Sequence, residues 1–178
     1  MSPAKAALVA ARFQPELIEK NSYLLKAGTV CQASYFIEQG VLRAYLYDLE
    51  GEEVTTAFYS SGGYAGELLS FFKRVPAREF IQAVTDCRAW RISYQDMQES
   101  FHNVPEFREF GRLNIVSQYH LLKERMLSNL QEPAEKRYAD LIANQPEVLA
   151  QVPLKYIASY LGIADTSLSR IRKAYAKK

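Results

Sequence analysis

Residues 36–59 read FIEQGVLRAYLYDLEGEEVTTAFY. Two runs rich in Val, Leu, Tyr and Phe, residues 41–47 and 54–59, flank a polar stretch around Asp48 to Glu53 that contains Gly51. β-branched and aromatic runs on either side of a polar glycine turn are the signature of an antiparallel hairpin. The same texture extends over residues 23–94, punctuated by Gly28, Gly40, Gly51, Gly62, Gly63 and Gly66. Turn signals recurring about every ten residues predict a sandwich or barrel of antiparallel strands. Ahead of it, residues 4–18 are expected to contain a helix packing on one end of the barrel.

Beyond Tyr94 the period changes. Ile115, Tyr119, Leu122, Met126 and Leu130 follow each other by three or four, and Phe110, Leu113 and Leu121 form a second, offset stripe. That spacing predicts one long helix over residues 105–130. Two stripes are more than one barrel surface needs, so the helix is expected to bury one against its own domain and one against a second copy in a two-fold dimer. The alternative is a monomer whose second stripe meets the C-terminal helices. Glu132 and Pro133 interrupt the helix; EKRYADLIANQP (135–146) supplies another, with Tyr138, Leu141 and Ile142 as its apolar face, stopped at residues 144–146. Pro153 suits the first turn of the next helix, where its missing N–H has no partner to lose.

The last segment carries the chemistry. Leu154, Ile157, Ala158 and Leu161 share one helical face, and Leu168, Ile171 and Tyr175 share one on a second helix, with Gly162 between. A glycine turns with positive φ at no steric cost, and small Ala158 four residues earlier permits a close helix crossing, as a helix-turn-helix requires. The other face of the second helix holds Thr166, Ser167, Ser169, Arg170, Arg172 and Lys173. Short polar groups with Arg near the N-terminal half suit base edges, and later cations suit phosphates. Arg170 is the candidate guanine contact; Ser167, Lys173, Lys177 and Lys178 are candidate phosphate contacts. Asp165 is expected to cap the helix while placing negative charge where it meets DNA, which limits affinity. The competing reading is a solvated helix face.

Net charge fits an anionic partner and a solvated lysine-rich end alike. The 178 residues are 48% hydrophobic and carry a net +2, but residues 151–178 alone carry +5 and the first 150 carry −3. Such asymmetry points to an anionic partner. No run of about 18 apolar residues could span a bilayer and no signal-peptide pattern opens the chain, so a cytoplasmic protein without a membrane partner is expected. Cys31 and Cys87, far from each other and from His102 and His120, fit neither a disulfide framework nor zinc spacing and read as small buried groups. Ser93, His102 and the scattered acids form no nucleophile-and-base pair, so no enzyme is expected.

YFIEQGVLRAY (35–45), GGYAGELLSF (62–71), DCRAWRISYQDM (86–97) and IASYLGIADTSLSRIRK (157–173) resemble the Crp/Fnr family of bacterial transcription regulators. The resemblance covers nearly the whole chain. It implies an α+β protein with a cyclic-nucleotide-binding-type β-roll (jelly roll) over residues 1–103, a long dimerisation helix over 104–131 and a helical DNA-binding domain over 132–178. The implied partners are duplex DNA, a second copy, a small-molecule effector and RNA polymerase. In cyclic-nucleotide-binding members a Gly-Glu-Leu turn holds ribose and phosphate, and an Arg ten residues beyond the Glu neutralises the phosphate. Gly66, Glu67 and Leu68 match the turn, but Ala77 occupies the tenth position, with Arg78 and Glu79 after it. One step along an extended segment reverses a side chain, so Arg78 is not expected to reach the same phosphate, and a cyclic nucleotide is the less expected occupant. Too few cysteines are present for an iron–sulfur cluster, and His102 and His120 are weak candidates for haem ligation. Asp165 and Thr166 stand where familiar members carry a base-reading Arg and Glu, so a different operator is expected. The sequence stops at Lys178, where the family usually adds a β-hairpin wing. The rival is a ligand-binding or protein-interaction module without DNA reading.

Overall fold

The computed structural model describes residues 1–175. Helix α1 (Pro3–Ala10) is capped by the Ser2 hydroxyl and leads into strand β1 (Gln14–Ile18). The stretch 4–18 thus contains the expected helix, and its last five residues form a strand as well. α1 ends at Ala10, short of Pro15, and β1 lies at a sheet edge, where a residue lacking N–H is tolerated. Strands β2 (Tyr23–Leu25), β3 (Ala33–Gln39), β4 (Leu42–Tyr47), β5 (Glu53–Tyr59) and β6 (Tyr64–Ala65) follow. After helix α2 (Leu68–Lys73) come β7 (Phe80–Ala83) and β8 (Cys87–Ser93). Two four-stranded antiparallel sheets result, ordered β1-β8-β3-β6 and β2-β7-β4-β5.

The expected hairpin is β4–β5, running from Leu42 opposite Tyr59 to Tyr47 opposite Glu53. Its turn is closed by the Asp48 carboxylate, which accepts the backbone N–H of Glu50 and of Glu52, each at 2.9 Å, with Gly51 at φ +85°. Between the sheets Ile37, Leu42, Ile81 and Ile92 are fully or almost fully buried, and Cys31 and Cys87 are buried free thiols.

Helix α3 (Tyr94–Asn103), capped by Ser93, leads into α4 (Pro105–Gln131), 27 residues or roughly 40 Å at 1.5 Å per residue. The two-stripe reading of α4 needs one correction. Only Phe107 is buried along it, and every residue of both stripes is at least 40% exposed; Phe110 packs on Tyr64 of β6 at 6.0 Å, and Ile115, Tyr119, Leu121 and Leu122 line the space between α4 and the roll instead of a closed core. The remaining helices are α5 (Ala134–Asn144), α6 (Pro146–Gln151), α7 (Leu154–Leu161) and α8 (Asp165–Tyr175). Pro146 ends α5 but also opens α6, because a first-turn proline sacrifices no hydrogen bond. Pro153 sits one residue earlier than expected, as the N-cap of α7.

Two apolar clusters organise the chain. One fills the roll and includes Val9 of α1, Met97 of α3 and Phe107 of α4. The other joins Tyr138, Leu141, Ile157, Leu161, Leu168 and Ile171 of the C-terminal helices to Val41, Phe58 and Val84 of the roll. The C-terminal helices thus share their core with the roll. Among the described residues, no helix is long and apolar enough to cross a membrane.

Candidate nucleic-acid interface and ligand cavity

Helices α7 and α8 meet as their spacing predicts. Ile157 and Ala158 are fully buried, and Gly162 takes φ +65° as the C-cap of α7. The Gly162 N–H donates to the Ser159 carbonyl (3.1 Å) and the Ile163 N–H to the Ala158 carbonyl (3.0 Å), closing the helix end in a left-handed turn. Leu168 and Ile171 bury the inner face of α8. Its outer face presents Thr166, Ser169, Arg170, Arg172 and Lys173 to solvent, with Ser167 half-buried at its edge and accepting a hydrogen bond from Arg170 Nη2 at 3.2 Å. Lys177 and Lys178 lie outside the described residues. Tyr175 is less enclosed than its stripe implied; its ring stands edge-on to Tyr138 at 5.7 Å.

Asp165 does not cap α8. It is the first helical residue, and among the described residues its carboxylate has no hydrogen-bond partner; the Ala164 carbonyl receives the Ser167 and Leu168 N–H groups instead. It still complements the positive end of the helix.

The pair is clamped to the roll. Strand β5 is a sheet edge, and Ser159 Oγ takes the place of a neighbouring strand, accepting from the Thr55 N–H (2.9 Å) and donating to the Glu53 carbonyl (3.0 Å). Arg43, 2% exposed, lies between the rings of Tyr45 (4.1 Å) and Tyr156 (3.6 Å) and donates to Glu53 at 2.6 Å and to Gln82 at 3.1 Å. Tyr160 packs against Phe58 at 5.0 Å.

Between the roll and α4 lies a cavity of about 1060 Å³, and Gly66, Glu67, Leu68 and Arg78 all line it. Arg78 therefore does not point away from it, as the one-residue offset implied. The alternation turns Ala77 into the core, its backbone paired with Gly28 and Thr29, and leaves Arg78 on the cavity wall. Glu67 is engaged as the N-cap of α2, its oxygens accepting from Leu69 N–H (3.1 Å) and Ser70 N–H (2.7 Å). Those oxygens hold protein rather than standing ready for a ribose. No Ser or Thr follows Arg78, and Glu79 adds a second carboxylate to the lining. The turn fits a cyclic nucleotide in backbone outline but not in charge.

Sequence reasoning missed further lining groups: Asn114, Gln118 and Arg125 on α4, and Thr56 and Tyr59 on β5. Spacings of four between Asn114 and Gln118 and seven between Gln118 and Arg125 mark a polar stripe beside the apolar ones. Burial raises the Tyr59 hydroxyl pKa well above its ordinary value, and the fields of Glu79 and Glu67 push the same way. Burial lowers the Arg125 guanidinium from its usual value, opposed by Tyr160 and Glu79.

A two-sheet roll, a long helix beside its cavity and a helix pair with a cationic outer face define a cyclic-nucleotide-binding-type fold joined to a helix-turn-helix. The chain matches the cyclic nucleotide-binding domain family over residues 15–103, half of its length, and belongs to that family as a Crp/Fnr-like protein. It is 30% identical over 82 residues to the cAMP-activated global transcriptional regulator Vfr of Pseudomonas aeruginosa, a match covering 44% of this chain and 38% of Vfr, well under half of that curated relative's length. FixK2 from Bradyrhizobium japonicum shares the fold with a TM-score of 0.80 at 14% identity, over 93% of this chain and 85% of that one. The c-di-GMP responsive global regulator CLP of Xanthomonas campestris does so with a TM-score of 0.74 at 15% identity, over 99% and 92%.

Proposed function

We propose that the chain is a homodimeric, DNA-binding transcription regulator in which residues 1–103 form an effector domain, 104–131 a dimerisation helix and 132–178 a DNA-binding domain. The observation that carries this is α8. Its apolar residues are spent on the core, while Thr166, Ser169, Arg170, Arg172 and Lys173 are exposed to solvent. A helix so arranged enters a major groove, and two of them in a dimer meet half-sites about 34 Å apart. The exposed apolar residues of α4 supply the dimer surface, and the roll cavity supplies a place for a small-molecule effector.

The test is duplex binding against salt concentration. The native chain is expected to lose affinity steeply with salt as cations release counterions, and Arg170→Ala to lose about 1–3 kcal/mol, chiefly at one base position. Salt-independent binding, or none to any genomic fragment, defeats the proposal. The rival, an interaction module without DNA reading, is favoured by the uncapped Asp165 carboxylate at the leading end of α8; partner capture that survives deletion of residues 155–178 supports it.

A further inference from the structure

The cavity between the roll and α4 has walls of two kinds. On one side stand Ala65, Phe71 and Met97, buried residues of the cluster that fills the roll. On the other, α4 turns Phe110, Ile115, Tyr119, Leu121 and Leu122 toward the space, and all five remain exposed. The other stripe residues, Leu113, Met126 and Leu130, lie outside it, which leaves a separate surface for a second copy. Large apolar side chains facing an apolar wall across a gap leave hydrophobic burial unrealised until something fills the gap. Its volume, about 1060 Å³, is on the scale of small-molecule sites, roughly 300–1,000 Å³.

The charges on the lining cancel, and half of them are already engaged. Among the described residues its charged members are Glu67, Glu79, Arg78 and Arg125, two of each sign. Both Glu67 oxygens accept N–H groups of α2. Arg125 donates to the carbonyls of Thr56, Thr55 (3.2 Å) and Tyr160 (3.0 Å), and its Nε–H is buried without a partner, offering no surface to a ligand. Arg78 and Glu79 are consecutive and opposite in sign. An ion entering an apolar space without net countercharge keeps its desolvation cost, so this lining favours a neutral guest. Neutral polar groups await it. Asn114 and Gln118, one turn apart on α4, are half-buried, and among the described residues their amides have no hydrogen-bond partner.

We propose that the effector is an uncharged, predominantly apolar small molecule, oriented by hydrogen bonds to Asn114 and Gln118 rather than by an ion pair. The assignment rests on the reading of this cavity as an effector site and names the chemical class which that reading leaves open.

The test uses the full chain, neutral N-phenyl-1-naphthylamine as a fluorescent reporter, and competitors sharing a naphthyl ring: 1-naphthalenemethanol, 1-naphthoate and 1-naphthalenemethylammonium, with cyclic AMP beside them. The alcohol is expected to displace the reporter at a roughly tenfold lower concentration than either naphthyl ion or the nucleotide. Ile115→Glu with Leu122→Glu, at exposed positions whose replacement leaves the core intact, weakens the reporter by roughly tenfold or more. Asn114→Leu with Gln118→Leu weakens the alcohol several-fold more than it weakens 1-methylnaphthalene. Equal or better displacement by an ion or by cyclic AMP, or equal loss of alcohol and hydrocarbon in the Asn114→Leu/Gln118→Leu variant, overturns the class and leaves the cavity reading standing. Absence of reporter binding, its indifference to Ile115→Glu/Leu122→Glu, or an affinity that falls with rising chain concentration as a second copy fills the space, overturns the cavity reading and the class together.

Discussion

At Gly40 a single residue lets two strands meet. Its φ is +96°, and an added Cβ would lie 2.5 Å from the Asp86 carbonyl oxygen and 2.7 Å from Cys87 Sγ. Positive φ and a backbone clash are separate penalties, so Gly40→Ala is expected to cost at least ~2 kcal/mol in urea unfolding. Gly51, with an equally positive φ of +85° but nothing near its missing Cβ, should tolerate alanine better. The two thiols make another residue-scale case. Burial raises the pKa of both Cys31 and Cys87, so little thiolate forms near neutrality and little of it is accessible. Iodoacetamide at pH 8 is expected to spare both in the folded chain and to label both in denaturant. Burial of the cysteines was legible from their number and isolation. The orphaned Nε of Arg125 was not, because the sequence shows only one more cation on a helix.

At the scale of elements, α4 and the β5–α7 seam behave differently. The α4 stripes are periodic and were readable as two faces, yet both remain exposed, Leu122 by 64% and Met126 by 53%. Met126→Glu with Leu130→Glu puts charge on the surface proposed to meet a second copy and is expected to halve the mass measured by sedimentation equilibrium. An unchanged mass sinks the dimer assignment. In the seam, one hydroxyl satisfies the backbone of the edge strand. Ser159→Ala leaves the Thr55 N–H without its partner, at a cost of about 1–3 kcal/mol, and the Thr55 amide is expected to exchange hydrogen faster than in the native chain. Nothing around Ser159 in the sequence singles it out, since its value lies in facing an edge strand. Strand β1 and helix α6 were likewise hidden, because a proline beside an apolar run signals an interruption without saying which element resumes.

On the whole-molecule scale, the C-terminal helices borrow their core. Val41, Phe58 and Val84 belong to the roll and pack with Ile157, Leu161 and Leu168. A fragment of residues 132–178 is therefore expected to lack stable helical structure by circular dichroism. The intact chain is expected to unfold in urea with coincident far-ultraviolet and tyrosine-fluorescence transitions; separated transitions would show that the two cores are independent. The charge division has a global consequence too. With +5 on residues 151–178 and −3 on the first 150, a polyanion is expected to be drawn to the C-terminal segment and repelled elsewhere, which would orient its approach.

The sequence by itself determined the hairpin at residues 36–59, the long helix and the helix-turn-helix, since each depends on neighbours spaced two to four residues apart and on glycines that permit particular turns. Only the tertiary structure decided that Ser159 clamps Thr55, 104 residues away, and that Arg125 meets Thr56 at a cavity wall 69 residues distant along the chain. It also decided that Ala77 turns into the core while Arg78 faces the cavity. The physical reason is that a side chain's local spacing specifies its face, whereas its partner is whatever group chain packing brings opposite that face.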